Sequence, residues 1–364
     1  MSNRVRVALD ASAIPEPPGG AGRYVLALAG ELARRHDVDL AVVSRTGDAA
    51  RWPPPVAAKA PALRPLRLGW EQVGLPRVVR GLGVDVHHGP HYTAPLALGL
   101  PSVVTIHDLS FFTHPEWHQR TKVAFFRGAI RTSARRAAAL IAVSVATADL
   151  LDQRVGPRVP VHVVPHGVDH SRYHPDDAGD DAALARAGVR PPYVVFVGTL
   201  EPRKDVPTLI RAFDRIAGAQ PDLTLVLAGA PGWAAGAVDA AVAGAAHGDR
   251  VRVTGYLPEA DLPALLRQAA AVAYPSLEEG FGLPVIEALA CGAPVVTTVG
   301  TVMEEVAAGA AFLAPPGDDF RLAGALEAAI EGDAERRELG LKVAARHTWE
   351  ASAAAHADVY RSVT

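Results

Sequence analysis

The sequence predicts an α/β protein built from two doubly wound parallel-sheet domains, and three observations carry that prediction. Short β-branched runs alternate with longer Ala- and Leu-rich segments along the whole chain, the pattern of parallel strands joined by crossover helices on both faces of a sheet. The chain has 364 residues, more than a single hydrophobic core normally organises. Midway, the acidic, turn-rich segment HPDDAGDD at residues 174–181 breaks the alternation, which sets a domain boundary near residue 180. The expected domains are therefore 1–180 and 181–348, followed by a terminal helix at 349–364.

In the first half the expected strands are residues 4–9, 38–44, 84–87, 102–107, 140–144 and 161–165. In the second half they are 193–198, 224–228, 251–254, 271–274, 294–298 and 311–314. Each is a short apolar run bounded by turn residues. The Pro-rich stretch 52–65 has no periodicity and reads as a surface loop. Two such domains in one chain suggest a ligand held between them, at the carboxyl ends of the strands.

Composition narrows the chemistry. With 36 basic and 39 acidic residues the net charge is −3, so no general field attracts nucleic acid, and any phosphate chemistry is local. The single cysteine, Cys291, excludes an intramolecular disulfide and a cysteine zinc cluster. The start Met-Ser-Asn-Arg has no apolar signal stretch and no run approaches 18 apolar residues, so a cytoplasmic protein is expected, with peripheral contact at the inner membrane face left open.

The most informative segment is SLEEGFGLPVIEALACGAPV, residues 276–295. It follows a strand, passes through Gly280 and Gly282, and opens a helix at Pro284, a residue suited to the first helical turn. The amides of Phe281, Gly282 and Leu283 form the positive end of that helix, suited to an anionic group. Glu279 lies in the loop and Glu287 about one turn inside the helix, so the two carboxylates can receive hydroxyls from opposite sides of a bound phosphate. Two sugars flanking a diphosphate satisfy that arrangement.

A second segment, VGTLEPRKD at residues 197–205, closes the first strand of the second domain and enters a helix that Asp205 can cap. Arg203 and Lys204 there suit the oxygens of a diphosphate. In the first domain, Gly19-Gly20-Ala21-Gly22-Arg23-Tyr24 links the first strand to an amphipathic helix. A dinucleotide fold would need glycine at position 25, where valine stands, and an acid at the end of the next strand, which reaches Ser44-Arg45. Thr105-Ile106-His107-Asp108 closes the fourth strand, and His107 points from a strand end.

These segments resemble the retaining glycosyltransferases of GT-B fold commonly grouped as family 4, in which two Rossmann-like domains face a central cleft. EGFGLPVIEALACGAPVV is similar to the donor-site signature of that family, GTLEPRK to its cation element, GGAGRY to its glycine-rich loop and TIHDL to its histidine element. WEQVGLP (70–76) and VDVHHGPHY (84–92) resemble the mannosyltransferase-like branch. The resemblance implies that Glu279 and His107 meet the transferred sugar and Glu287 the ribose. Phe281, Gly282, Leu283, Gly20 and Ala21 then face the sugar or diphosphate through their amides, and Arg203 and Lys204 stabilise the departing diphosphate. The arginine that usually follows the glycine is Thr199 here, with Arg203 in its place, and VPHGVD (164–169) carries His166 where asparagine is usual. Thr348-Trp349-Glu350 and the helix after it resemble a terminal helix that crosses back to the first domain.

His87, His88 and His91 lack a completing carboxylate or cysteine pattern, and a strand-end loop explains them. The only D-x-D triplet, Asp37-Val38-Asp39, starts a strand, away from the ligand end of a sheet. No metal and no cofactor are therefore expected. The reading is a retaining hexosyltransferase acting on a glycan or lipid-linked hydroxyl, with GDP-mannose as first donor and UDP-glucose or UDP-N-acetylglucosamine as alternatives. A sugar-nucleotide epimerase and a non-catalytic nucleotide-sugar sensor are the rivals. Finally, residues 120–136 read as a helix carrying Arg127, Arg131 and Arg135 at four-residue spacing beside Phe125, Phe126 and Ile130, either a solvated basic face or a surface for anionic headgroups.

Overall fold

The computed structural model describes residues 4–14, 19–176 and 178–364. The chain forms two compact units, 1–167 with 349–364, and 168–348. The first holds a seven-stranded parallel sheet of β1 (Val5–Asp10), β2 (Val38–Arg45), β3 (Val56–Ala60), β4 (Val86–Gly89), β5 (Ser102–Ile106), β6 (Ala139–Ala142) and β7 (Val161–Val163), in the order β3-β2-β1-β4-β5-β6-β7. Its crossovers are α1 (Gly20–Arg34), α2 (Arg64–Leu82), α3 (Ser110–Thr113), α4 (Arg120–Arg136) and α5 (Val145–Val155). In α1 the buried residues Tyr24, Val25, Leu28, Ala29 and Leu32 recur at helical spacing and pack on Val7, Leu9, Val86 and Val103 of the sheet. Burying each of the larger ones contributes roughly 1.5–3 kcal/mol, which holds the start of α1 against the strand ends.

The second unit has a six-stranded parallel sheet of β8 (Tyr193–Val197), β9 (Thr224–Ala228), β10 (Val251–Gly255), β11 (Ala271–Tyr274), β12 (Val295–Thr298) and β13 (Ala311–Ala314), in the order β10-β9-β8-β11-β12-β13. Its helices are α6 (Asp180–Ala187), α7 (Val206–Ala217), α8 (Ala235–Gly244), α9 (Leu262–Arg267), α10 (Leu283–Ala290), α11 (Val302–Ala307), α12 (Asp319–Glu331) and α13 (Ala334–Arg346). The last helix, α14 (Trp349–Ser362), belongs to the first unit, where Ala353, Ala357 and Tyr360 enter its core. Among the described residues no helix is long and apolar enough to cross a membrane.

The fold class is the one the alternation predicted, with corrections. The stretch 52–65 is not all loop, because Val56–Ala60 is β3, paired in parallel with β2. Ala57, Ala58 and Ala60 have little intrinsic strand preference, and the strand forms because β2 offers an unpaired edge that β3 then closes with the exposed Lys59 outermost. The boundary lies at residues 167/168 rather than near 180. The acidic segment is not a linker: Asp180 pairs with Arg267 at 2.6 Å, Arg267 also donates to the carbonyl of His174 at 3.0 Å, and Arg172 reaches Glu259 at 3.0 Å.

Candidate active site

Each sheet reverses its strand order once, between β1 and β4 in the first unit and between β8 and β11 in the second, and crevices at the carboxyl ends of such strands are where doubly wound sheets take ligands. In the second unit the loops leaving β8 and β11 bring four charged side chains together. The first loop is folded close to its neighbour: the Gly198 N–H donates to the Ala228 carbonyl at 2.8 Å, and a Cβ on Gly229 would collide with the Gly198 oxygen. A 3₁₀ turn, Pro202–Lys204, then presents Arg203 and Lys204. The Leu277 N–H donates to the Arg203 carbonyl at 2.7 Å, joining the two loops. Thr297 and Thr298 on β12 donate to the carbonyls of Tyr274 and Ser276 at 2.8 and 2.7 Å, fixing the second loop from the other side.

The Glu279 carboxylate is ion-paired through one oxygen to Arg203 and through the other to Lys204. Arg203 also donates to Glu201 at 2.9 Å. Lys204 donates to the hydroxyl of Tyr274, whose ring centroid is 4.3 Å from the ammonium, and that hydroxyl lies 3.3 Å from Glu279. Burial alone would raise Glu279, but the two cations hold it down to about 2, a carboxylate at all working pH. Burial lowers Lys204 to about 8, with Arg203 pushing the same way and Glu279 opposing. Arg203, which burial would lower, is pushed up by the same carboxylate.

Directly after this loop Gly282 has φ +92° and α10 begins at Leu283 with Pro284 in its first turn. A side chain at 282 would be strained by that φ and would press on Met303 at 3.1 Å. Phe281 is buried and its ring lies 5.8 Å from that of His347. Glu287 is buried on α10, four residues past Leu283. The segment 276–295 thus has the loop-then-helix form its residues predicted, and it stands beside Arg203 and Lys204. Asp205 occupies the N-cap of α7, but with φ +46° and no side-chain capping bond; its carbonyl accepts from Thr208 at 3.1 Å instead.

In the first unit, Gly20 and Ala21 are not loop residues but the first turn of α1, and Pro15 to Pro18 just before them lie outside the described residues. His107 follows β5 directly. Its Nε2 donates to the Pro90 carbonyl at 2.8 Å, which leaves Nδ1 as an acceptor, and burial lowers its pKa. The Tyr24 ring meets it edge-on at 5.2 Å, and His166 lies 4.6 Å from Tyr24 and 5.9 Å from His107, so the three rings form a cluster. His87 and His88 are not in a strand-end loop: both are wholly buried within β4, His87 against Ser102 at 3.0 Å and His88 between Thr105 and Tyr360 at 2.8 Å each. Asp37 precedes β2 and pairs with Arg35 and Arg361 at 2.8 and 2.6 Å. Among the described residues no group of three or more His, Cys, Asp or Glu is arranged to hold a metal ion.

Sequence reading missed Tyr274, Glu201 and the buried set Tyr24, His88, Thr105, His356 and Tyr360. Signals existed for part of it: Tyr274 ends an apolar strand on a polar tip, and Thr105 shares a strand face with His107 two residues on.

On fold and site together, this is a two-domain α/β protein of GT-B type with a charged cluster at the switch point of its second sheet. Residues 185–345 match the family described as "Glycosyl transferases group 1" and residues 18–172 that described as "Glycosyltransferase Family 4". The "Alpha-maltose-1-phosphate synthase" of Mycolicibacterium smegmatis is 30% identical over 96% of this chain and 97% of that one. The "O-antigen chain mannosyltransferase B" of Escherichia coli is 29% identical over 79% of this chain and 75% of that one. The chain belongs to the GT-B glycosyltransferases of this group 1 family. Among solved structures, Anabaena HepE in complex with UDP-glucose matches with a TM-score of 0.78 at 21% identity, over 99% of this chain and 100% of that one. Sucrose-phosphate synthase from Thermosynechococcus elongatus matches at 0.77 and 22%, over 99% of each.

Proposed function

We propose that the protein is a retaining hexosyltransferase that moves a hexose from a nucleotide diphosphate sugar to a hydroxyl of a glycan or lipid-linked acceptor, without a metal or other cofactor. One observation carries this reading: Arg203, Lys204 and Glu279 converge at the switch point of the second sheet, directly ahead of α10 with its buried Glu287. Arg203 and Lys204 are assigned to the diphosphate, where they stabilise the charge that develops as the sugar–oxygen bond breaks. Glu279 is assigned to hydroxyls of the transferred sugar and Glu287 to those of the ribose. The amides of Phe281, Gly282, Leu283, Gly20 and Ala21 are assigned to donor oxygens. His107 is assigned to a sugar hydroxyl, and with Nδ1 as its acceptor it takes that hydroxyl's hydrogen bond rather than giving one.

Mannose from GDP-mannose is the first donor, supported by GTLEPRK, WEQ and GGAGRY together, and the sugar also by the Escherichia coli relative, a mannosyltransferase. Glucose from a UDP donor is the second reading; the Mycolicibacterium smegmatis relative, named for a phosphate of maltose, a disaccharide of glucose, supports the sugar but not the base. The test is nucleotide release from a panel of GDP-, UDP- and dTDP-sugars, with and without acceptors. Fastest release from GDP-mannose supports the first reading, fastest release from UDP-glucose the second, and binding without turnover of any donor rejects both.

A further inference from the structure

The last helix carries both ends of a buried hydrogen-bond chain that runs through the core of the first unit. Tyr360 lies 2.8 Å from His88 Nδ1, His88 Nε2 lies 2.8 Å from Thr105 Oγ1, Thr105 Oγ1 lies 3.0 Å from Tyr24 Oη, Tyr24 Oη lies 2.9 Å from His356 Nε2, and His356 Nδ1 lies 2.7 Å from the Ser352 carbonyl. Ser352, His356 and Tyr360 sit four residues apart on one face of α14, and Tyr24, His88, Thr105, His356 and Tyr360 are all fully buried.

The carbonyl at one end fixes every proton in the chain. A carbonyl only accepts, so His356 carries its hydrogen on Nδ1 and its Nε2 must accept from Tyr24. The single Tyr24 hydrogen is thereby used, so Tyr24 Oη accepts from Thr105. The single Thr105 hydrogen is used in turn, so Thr105 Oγ1 accepts from His88 Nε2–H. Neutral His88 then offers Nδ1 to the Tyr360 hydroxyl. Both histidines are kept neutral chiefly by burial, which pulls His356 down to about 4 and His88 well below its ordinary range. No other assignment satisfies all five bonds, and each donor has one acceptor.

The chain has an outlet toward the candidate site. Tyr24, whose hydroxyl is held from both sides, sets its ring edge-on to His107 at 5.2 Å, and Thr105 projects from the same face of the strand whose end carries His107. We infer that Thr105, Tyr24, His88, His356 and Tyr360 are positioning residues that couple docking of α14 to the orientation of His107. The inference rests on the reading of His107 as a group that meets the transferred sugar. Because the chain starts and ends on α14, it is complete only while that helix is seated.

Two measurements test it. Histidine-selective ¹⁵N NMR of the full-length protein reads the tautomers directly: His88 is expected as the Nε2–H form and His356 as the Nδ1–H form. Steady-state kinetics of T105V, which keeps shape but breaks the chain at its centre, should show kcat lowered about tenfold or more with donor KM within about twofold of wild type, and T105S should restore it. Y360F, which removes only the first donor, gives a milder loss in the same direction and guards against misfolding of T105V. The opposite His88 tautomer, or wild-type kcat in both T105V and Y360F, overturns the inference. If the wild type releases no nucleotide from any sugar donor, the transferase reading of His107 falls, and the positioning role with it, whatever the tautomers.

Discussion

Lys204 and Glu279 form an ion pair between two loops at neighbouring strand ends, with side-chain exposures of only 7% and 10%. Arg203 holds the other oxygen of the same carboxylate, so one acid is shared by two cations in a shielded place, with Glu201 as a second partner of Arg203. Glu279→Gln keeps the shape but releases both cations from that charge. Transfer is expected to fall at least about a hundredfold, while affinity for free GDP or UDP is kept or rises. Glu287→Ala, removing a buried carboxylate assigned to the ribose, is expected to weaken nucleotide binding about tenfold or more. Calorimetry on both variants checks this, and equal losses of binding would remove the separate roles.

The Lys204 ammonium is a cation below pH about 8 and neutral above it, because burial lowers it to that value. If it stabilises the leaving diphosphate, turnover should decline as pH rises through about 8, since only the charged form acts. Lys204→Ala should reduce kcat more than donor affinity, as expected for a contact that strengthens with developing charge. A kcat profile flat from pH 7 to 9.5 would rule out this role.

Chelation should leave activity unchanged. The charge assigned to the leaving group comes from Arg203 and Lys204, which are already in place. The measurement is kcat before and after EDTA and gel filtration, and a loss restored by manganese would show that a cation belongs in the reaction.

The first unit should lose stability in acid. His87, His88, His166 and His356 are buried, and burial, the largest cause in each, pulls His87 and His356 down to about 4 and His88 and His166 well below the ordinary value of 6.5. Between pH 6.5 and about 4 the unfolded chain therefore binds protons that the folded chain refuses. Stability falls on acidification through that window, by up to about 1.4 kcal/mol per pH unit for each histidine that stays neutral. Urea midpoints at pH 7, 6 and 5 report it, and a midpoint indifferent to pH over that range would contradict the burial of neutral imidazoles.

Much of this was legible in the chain because local chemistry and tertiary structure agree. The alternation of runs specified parallel sheets, and the loop ahead of α10 announced itself through Gly280, Gly282 and Pro284. Arg203, Lys204 and Glu279 could be assigned to strand ends, but their convergence could not be read, since it depends on β8 and β11 being neighbours despite lying far apart in sequence. β3 was hidden because its alanines carry no strand signal and only the edge of β2 recruits them. The chain from Tyr360 to Ser352 was hidden for a related reason: His88 and Thr105 look like ordinary strand residues until α14 is seated over them.

The expectation of peripheral membrane contact is tested on α4. The helix spans the expected residues, but its cations are not one ridge: Arg127 donates to the Phe111 carbonyl at 2.7 Å and is half-buried, whereas Arg131, Arg135 and Arg136 are exposed. Phe125 is 42% exposed beside them, and no acidic residue occurs between Glu116 and Asp149. A surface with that composition suits anionic headgroups, each basic residue contributing about 1 kcal/mol near an anionic membrane. Three exposed arginines therefore support weak attachment that salt reverses within a Debye length. The wild type is expected to float with anionic vesicles at low salt and to be released at about 0.5 M salt. Arg131→Glu with Arg135→Glu and Arg136→Glu should abolish flotation while nucleotide release from a soluble donor persists, because none of the three is among the residues assigned to the donor. Arg127→Glu should instead lower stability, through loss of its bond to Phe111. If the wild type stays in the soluble fraction even at low salt, α4 is a solvated face and the acceptor hydroxyl belongs to a soluble glycan.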